Sequence, residues 1–203
     1  MNGCAGVILA GGQATRMGGG DKGLRVVAGR RLFDHVIARL APQVDRLAIN
    51  ANGDPARLAE FGLPVLADSL PDYPGPLAGV LAGLDWAAGL GRSQIVTAAA
   101  DTPFFPADLV ARLQAAAGPS GLCLAASPDA SGRMQRQPTF GLWPVALRDD
   151  LRAALQRGLH KIVLWTDSHG AGVAEFASDP FDPFFNINTP ADIAVADQLA
   201  RRE

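Results

Sequence analysis

The stretch from Gly6 to Lys22 constrains this chain more than any other part of it. Gly6-Val7-Ile8-Leu9 is short, apolar, β-branched and stopped by glycines, so it reads as a buried strand. A polar loop follows, Ala10-Gly11-Gly12-Gln13-Ala14-Thr15-Arg16-Met17-Gly18-Gly19-Gly20-Asp21-Lys22. Glycine tolerates positive φ and lets backbone N–H groups approach an anion closely. Arg16 and Lys22 add positive charge. A loop of this make-up, leaving the end of a strand, suits the phosphates of a nucleoside triphosphate.

Two familiar phosphate loops do not match. The Walker A pattern needs Gly before its Lys and Ser or Thr after it, whereas Asp21 precedes Lys22 and Gly23 follows. Gly18, Gly20 and Gly23 spell G-x-G-x-x-G, but not directly after the strand. Leu24-Arg25-Val26-Val27, which comes next, resembles a strand rather than the required helix.

Composition narrows the class. The 203 residues suit one domain, 1–203, and at 48% hydrophobic the chain has material for a packed core. A formal net charge of −2 argues against a general nucleic-acid binder. Charge is nevertheless uneven: Arg16, Lys22, Arg25, Arg30 and Arg31 face only Asp21 over residues 16–31. That local excess suits a phosphorylated substrate, the plainer alternative being a solvated basic face. Cys4 and Cys123 have neither metal spacing nor a disulfide framework and read as small buried hydrophobes. No signal-peptide pattern precedes the first strand and no apolar run reaches membrane-spanning length. The expectation is a cytoplasmic protein without a membrane partner.

Strand and helix patterns alternate along the chain. Expected strands are Gly6–Leu9, Arg46–Asn50, Val65–Ala67, Gln94–Ala98, Leu122–Ala126 and Thr139–Trp143. Expected helices are Leu32–Leu40, Pro55–Phe61, Pro76–Ala88, Pro106–Ala116, Pro144–Gln156 and Pro190–Ala200. Gly75-Pro76 and Thr189-Pro190, with Asp192 in the first turn, are helix-start signals. Residues 127–137 read as a polar loop. Alternation of this kind implies a mostly parallel sheet covered on both faces, a single three-layer Rossmann-like α/β domain.

In such sheets ligands bind beyond the carboxyl ends of the strands. The glycine loop follows the first strand, Asn50 and Asn52 the second, Asp68 the third and Asp101 the fourth, so all four segments converge on one edge. Lys22 is the expected phosphate contact. Arg16 either contacts phosphate or pairs with Asp21. Asp101 ends the apolar run Ile95–Ala100, where a carboxylate is costly unless paired. Magnesium with substrate phosphates is a natural partner, and capping of the turn at Thr102-Pro103 is the alternative. The backbone of Leu9 and Ala10, with Asn50, Asp68 and Gly75–Gly79, offers donors and acceptors for a base. Asp68 equally suits a ribose or a loop cap. Asn188 completes the metal site, binds a second substrate, or serves as a turn residue before Thr189.

Leu-Ala-Gly-Gly-x-x-x-Arg-Met-Gly-x-x-x-Lys, read over Leu9–Lys22, resembles the superfamily of nucleotidyltransferases that build nucleotide sugars. The fuller form Met17–Leu24 is similar to the molybdenum cofactor guanylyltransferases. Four further segments agree in order: Asn50-Ala51-Asn52, Asp68–Gly79 with Tyr73-Pro74-Gly75-Pro76-Leu77-Ala78-Gly79, Asp101-Thr102-Pro103, and Asn186–Pro190. The resemblance implies a fold of the nucleotide-diphospho-sugar transferase type. It implies GTP bound by Leu9, Ala10, Gly11, Lys22, Asn50, Asp68 and Asp101, with magnesium on Asp101 and catalysis by Lys22, Arg16 and Asp101. The second substrate is then molybdopterin, with Arg133, Arg136, Lys161, Asn186 and Asn188 as candidates to hold it. Gln137 stands where the family often has His before Pro-Thr. Molybdoenzymes or their chaperones are the implied receivers of the product. The reaction so implied moves GMP from GTP to the terminal phosphate of molybdopterin and releases pyrophosphate. Rival readings are a CTP-dependent enzyme on the same cofactor, a sugar-phosphate nucleotidyltransferase, and a non-catalytic cofactor carrier.

Overall fold

The computed structural model describes residues 3–11, 21–70, 75–159 and 161–201. Arg16 and Tyr73, both named above, lie outside them. Among the described residues the central sheet has seven strands: β1 (Cys4–Leu9), β4 (Arg46–Asn50), β5 (Val65–Leu66), β6 (Gln94–Ala99), β7 (Cys123–Pro128), β8 (Met134–Pro144) and β9 (Gly172–Glu175). Their order is β5-β4-β1-β6-β8-β7-β9. Strands β4, β5 and β6 run parallel to β1, and β9 runs parallel to β7. Only β8 is reversed, pairing antiparallel with β6 and β7. A two-stranded ribbon, β2 (Val26–Val27) and β3 (Arg30–Arg31), lies apart.

The period of two along each central strand feeds two cores. In β1, Cys4 and Ile8 join one apolar cluster, and Ala5, Val7 and Leu9 join another. Helices α1 (Leu32–Leu40) and α3 (Leu109–Ala115) supply Phe33, Val36, Leu40, Leu109, Val110 and Leu113 to the first. Helices α2 (Pro76–Gly89), α4 (Arg148–Gln156) and α5 (Ile162–Ser168) cover the opposite face through Leu77, Leu81, Leu84, Leu151 and Trp165. Two helix layers therefore enclose the sheet, the arrangement a parallel sheet requires. α2 is buried almost all round, because its small residues let it lie against β1 and β4. The last described helix, α6 (Pro190–Leu199), packs instead near the ribbon, where its Ala196 joins a separate cluster with Val27 of β2, Leu32 of α1, Phe104 and Ile187. Both cysteines are free and buried, and burial pushes the Cys4 thiol up to about 12 and the Cys123 thiol up to about 11.

Several elements depart from expectation. Pro55–Phe61 is a 3-10 helix, and α3 begins at Leu109 after a turn closed by Leu109 N–H on Pro106 O. Val145–Leu147 is a 3-10 turn ahead of α4. Of the stretch expected as a polar loop, 127–137, the middle, 129–133, is the turn between two strands, while its first two residues end β7 and its last four begin β8. Pairing jumps there from Leu124–Gly141 to Ala125–Gln137, so Pro138, Thr139 and Phe140 bulge out of register. Pro138 has no N–H to give a ladder, and a bulge accommodates it. Helix α5 and strand β9 lie in residues where no element was expected. No described helix is long and apolar enough to cross a membrane.

Candidate active site

Register brings the strand ends together. Leu9 pairs with Asn50 of β4 on one side and Ala99 of β6 on the other. The ladder continues past them: Ala10 N–H donates to Asn50 O at 2.9 Å, and Ala100 N–H to Leu9 O at 3.0 Å. Asp101 therefore emerges beside the start of the glycine loop. A small cleft here is lined by Leu9, Ala10, Lys22, Gly23, Ala100 and Asp101.

Lys22 opens a short 3-10 helix, Lys22–Leu24, under α1. Gly23 is required there, because a Cβ would come within 2.3 Å of the Phe33 ring. The Lys22 ammonium donates to Asp101 Oδ2 at 3.1 Å and to Asn188 Oδ1 at 2.6 Å. Side-chain exposure of 22% and 16% for Lys22 and Asp101 keeps the pair accessible yet partly desolvated, where charge contacts outweigh surface ones. Thr102 Oγ1 lies 3.4 Å from Asp101 Oδ1.

Asn188 arrives from far along the chain. Ile187 N–H donates to Asp101 O at 2.9 Å and ties the segment to the end of β6. Its other side is clamped by a capping box, in which Asp192 Oδ2 accepts from Asn188 N–H at 2.8 Å and Thr189 N–H at 2.7 Å. These bonds, Asn188's first, hold the Asp192 carboxyl below its ordinary range.

A second cluster lies at the ends of β4 and β5. Asn50 is 2% exposed and donates through Nδ2 to Asp68 Oδ1 at 2.9 Å and to Leu66 O at 3.1 Å. Asn52 Nδ2 donates to Asp68 Oδ2 at 2.7 Å, and Asp68 N–H returns a bond to Asn52 Oδ1 at 2.9 Å. Gly79 of α2 allows this approach, because a Cβ there would stand 2.1 Å from Asn50 Oδ1. The loop after β5 is tied to α2 by Ser69 Oγ on Asp85 Oδ2 at 2.6 Å, and Arg152 of α4 holds the same carboxylate.

The structure thus brings Lys22, Asp101 and Asn188 together, and separately Asn50, Asn52 and Asp68. The other acceptor-side candidates have different surroundings. Arg133 pairs with Asp129 inside the β7–β8 turn, Arg136 with Asp167 of α5, Lys161 is exposed just before α5 with no side-chain cap bond to it, and Asn186 is exposed. Sequence reasoning missed Arg57, which grips Asp21 next to Lys22. The signal was present, because a lone carboxylate inside a glycine-rich loop that also carries Arg16 and Lys22 needs a cation.

Among the described residues no group of three or more His, Cys, Asp or Glu forms a metal cage. The oxygens beside Lys22, one carboxylate and one amide, match a hard cation that completes its shell with substrate phosphates and water.

Fold and site define a nucleotidyltransferase. The chain belongs to the MobA-like NTP transferase family, whose domain model matches residues 6–170. It is 51% identical over 203 residues to a molybdenum cofactor guanylyltransferase from a Bradyrhizobium species, covering 98% of this chain and 93% of that one. The enzyme of the same name from Cereibacter sphaeroides is 49% identical, covering 98% and 97%. The solved structure of molybdopterin-guanine dinucleotide biosynthesis protein A from Archaeoglobus fulgidus matches with a TM-score of 0.74 at 20% identity, covering 98% of this chain and all of that one. A 2-C-methyl-D-erythritol 4-phosphate cytidylyltransferase from Thermus thermophilus matches at 0.69 and 22% identity, covering 99% and 100%. The fold is therefore of the nucleotide-diphospho-sugar transferase type.

Proposed function

We infer that this protein transfers GMP from GTP to the terminal phosphate of molybdopterin, releasing pyrophosphate and leaving the guanine dinucleotide form of the molybdenum cofactor. The observation that carries this reading is the Lys22–Asp101–Asn188 cluster at the ends of parallel strands. The half-identity to enzymes named for this activity, over nearly the whole chain, supplies the substrates.

The acceptor is a phosphate monoester with a second pKa of about 6, so its oxygen is largely ionised near neutral pH. It needs no general base. A new P–O bond forms at the α-phosphorus while the bond to the bridging oxygen breaks and its electron pair leaves with pyrophosphate. Lys22 places its ammonium against the phosphate oxygens and neutralises charge as it shifts to the leaving group. Asp101 and the amide oxygen of Asn188 would hold magnesium, which supplies further neutralisation when bound. Arg16, from the same glycine loop, serves the same phosphates. Asn50 and Asp68 read the base: Asp68 retains lone pairs beyond those the two asparagines occupy, and these suit the N1–H and amino donors of guanine. The backbone of Leu9, Ala10 and Gly11 borders it. Asn186 and Asn188 are the acceptor-side residues, with Arg133, Arg136 and Lys161 as further candidates for its phosphate. Free, buried thiols are in keeping with a cytoplasmic enzyme that hands its product to molybdoenzymes or their chaperones.

The test is kcat/KM for GTP, CTP and ATP with molybdopterin as acceptor. Each buried polar group left unpaired by a wrong base costs about 1–3 kcal/mol, so two of them discriminate by roughly two to four orders of magnitude. CTP at parity with GTP overturns the guanylyl assignment and leaves nucleotidyl transfer standing.

A further inference from the structure

Arg57 lies in the 3-10 helix after β4, and its guanidinium joins three points of the site. Nε donates to Asp21 Oδ2 at 2.6 Å and Nη2 to Asp21 Oδ1 at 3.4 Å. Nη2 also donates to Asn52 O at 2.6 Å, and Nη1 to Asp54 O at 2.5 Å. The Asp21 side chain is only 14% exposed. Asn52 exchanges two hydrogen bonds with Asp68, and Asp68 accepts from Asn50. An unbroken polar chain therefore runs from Asp21, the neighbour of Lys22, to Asn50 at the end of β4.

We propose that Arg57 is a positioning residue: it clasps Asp21 and so fixes the Lys22 ammonium relative to the Asn50–Asp68 pair. The inference rests on the reading above, in which phosphates lie at Lys22 and the base at Asn50 and Asp68. A lysine ends a flexible stem and does not set its own direction, whereas an arginine presents donors in a rigid fork. The fork here spends its donors on one carboxylate and two carbonyls, which fixes the end of the glycine loop to the loop that holds Asn52. A bare carboxylate beside a phosphate-binding lysine repels a triphosphate. Clasped by Arg57, the same carboxylate becomes an anchor.

That dual character gives a test with opposite signs. Coulomb's law alone predicts that Asp21→Ala tightens GTP binding, because a negative charge near the phosphates is removed. The clasp predicts weaker binding. GTP and guanosine are titrated against wild type, Arg57→Ala, Arg57→Lys, Asp21→Ala and the Arg57→Ala/Asp21→Ala double variant. Loss of alignment at the phosphates weakens GTP roughly tenfold in each alanine variant and leaves guanosine within about twofold of wild type. The double variant loses no more than Arg57→Ala, because the Asp21 contact is already gone once Arg57 is removed. Arg57→Lys does not restore GTP binding, since one ammonium cannot span Asp21 and both carbonyls.

Tighter GTP binding in Asp21→Ala overturns the clasp. So do multiplicative losses in the double variant, full recovery in Arg57→Lys, or equal weakening of guanosine and GTP, which marks general loosening of the fold. If Arg57→Ala does not fold, Arg57→Lys and Asp21→Ala carry the same readout. A wild-type protein that binds GTP but releases no pyrophosphate with molybdopterin overturns the proposed function, and the clasp is still decided by the binding titrations.

Discussion

The two halves of the sheet reach the same edge by different routes. In the parallel half, β5, β4, β1 and β6, the chain leaves each strand straight into the site, delivering Asp68, Asn50, Ala10 and Asp101 in turn. In the other half β8 runs backwards, and the chain comes back to the site only after β9, through the segment that ends at Asn188. Ser127 Oγ donates to Asp182 Oδ1 at 3.1 Å and Ser178 Oγ to Pro128 O at 3.0 Å, so that returning segment is stitched to the end of β7. Parallel strands place functional groups by succession. Antiparallel ones need a long return whose docking has to be stabilised by its own contacts.

The largest expected effect breaks the meeting point of the two halves. Lys22→Ala removes the ammonium that joins Asp101 to Asn188. Charge-assisted contacts are worth about 1.5–3 kcal/mol each, so losing two to substrate phosphate lowers kcat/KM by roughly two to four orders of magnitude. Steady-state pyrophosphate release measures this, and near-normal turnover at saturating GTP would sink the role given to Lys22.

Asp101→Asn probes the parallel half alone. Asn caps a turn as well as Asp does, so the fold should persist. If Asp101 holds magnesium as proposed, the rate falls roughly ten- to a hundredfold, with a higher magnesium concentration needed for half-maximal rate. An unchanged magnesium dependence would mark Asp101 as a turn cap only.

Asn188→Ala sharpens the comparison from the other side. It deletes the returning segment's 2.6 Å contact to Lys22 while Ile187 and the Asp192 box still hold the backbone. A loss of about 1 kcal/mol, a several-fold lower kcat/KM, is expected. If the rate is unaffected, the returning segment is only a brace.

The smallest effect lies in the β7–β8 turn. Ser131 and Gln135 bond the Asp129 side chain and hold its carboxyl down at about 2. A depressed native pKa means that this stabilisation is present above the ordinary carboxylate value of about 4 and fades as pH falls toward 2. Asp129→Ala should lower Tm slightly at neutral pH, and the difference from wild type should shrink as pH falls below about 4 and through about 2 in thermal melts. A pH-independent difference would assign the effect to the turn backbone.

The same contrast divides what was readable in the chain. β4 and α1 have the bounds expected of them, and β1, β6 and α2 extend them by one or two residues, because buried strands and capped helices carry local signals. The capping box at Thr189 was equally plain. β9 and α5 were missed because they are short and fixed by packing: Ala174 and Trp165 are buried, but four or seven residues carry no period. Within the polar stretch 127–137 the loop narrows to 129–133, because its ends, 127–128 and 134–137, take up the β7–β8 ladder, and polar composition does not tell an exposed ladder from a loop.

The sequence alone determined the strand-then-glycine-loop start, the alternation that makes a parallel sheet, and therefore the edge on which Lys22, Asn50, Asp68 and Asp101 gather. Those features depend on residues near one another in the chain. Tertiary structure decided the reversal of β8, the seating of Asn188 on Lys22 across 166 residues, and the grip of Arg57 on Asp21 across 36. No local propensity encodes such pairings. They exist because partly buried charges and amides need partners, and folding supplies those partners from distant segments.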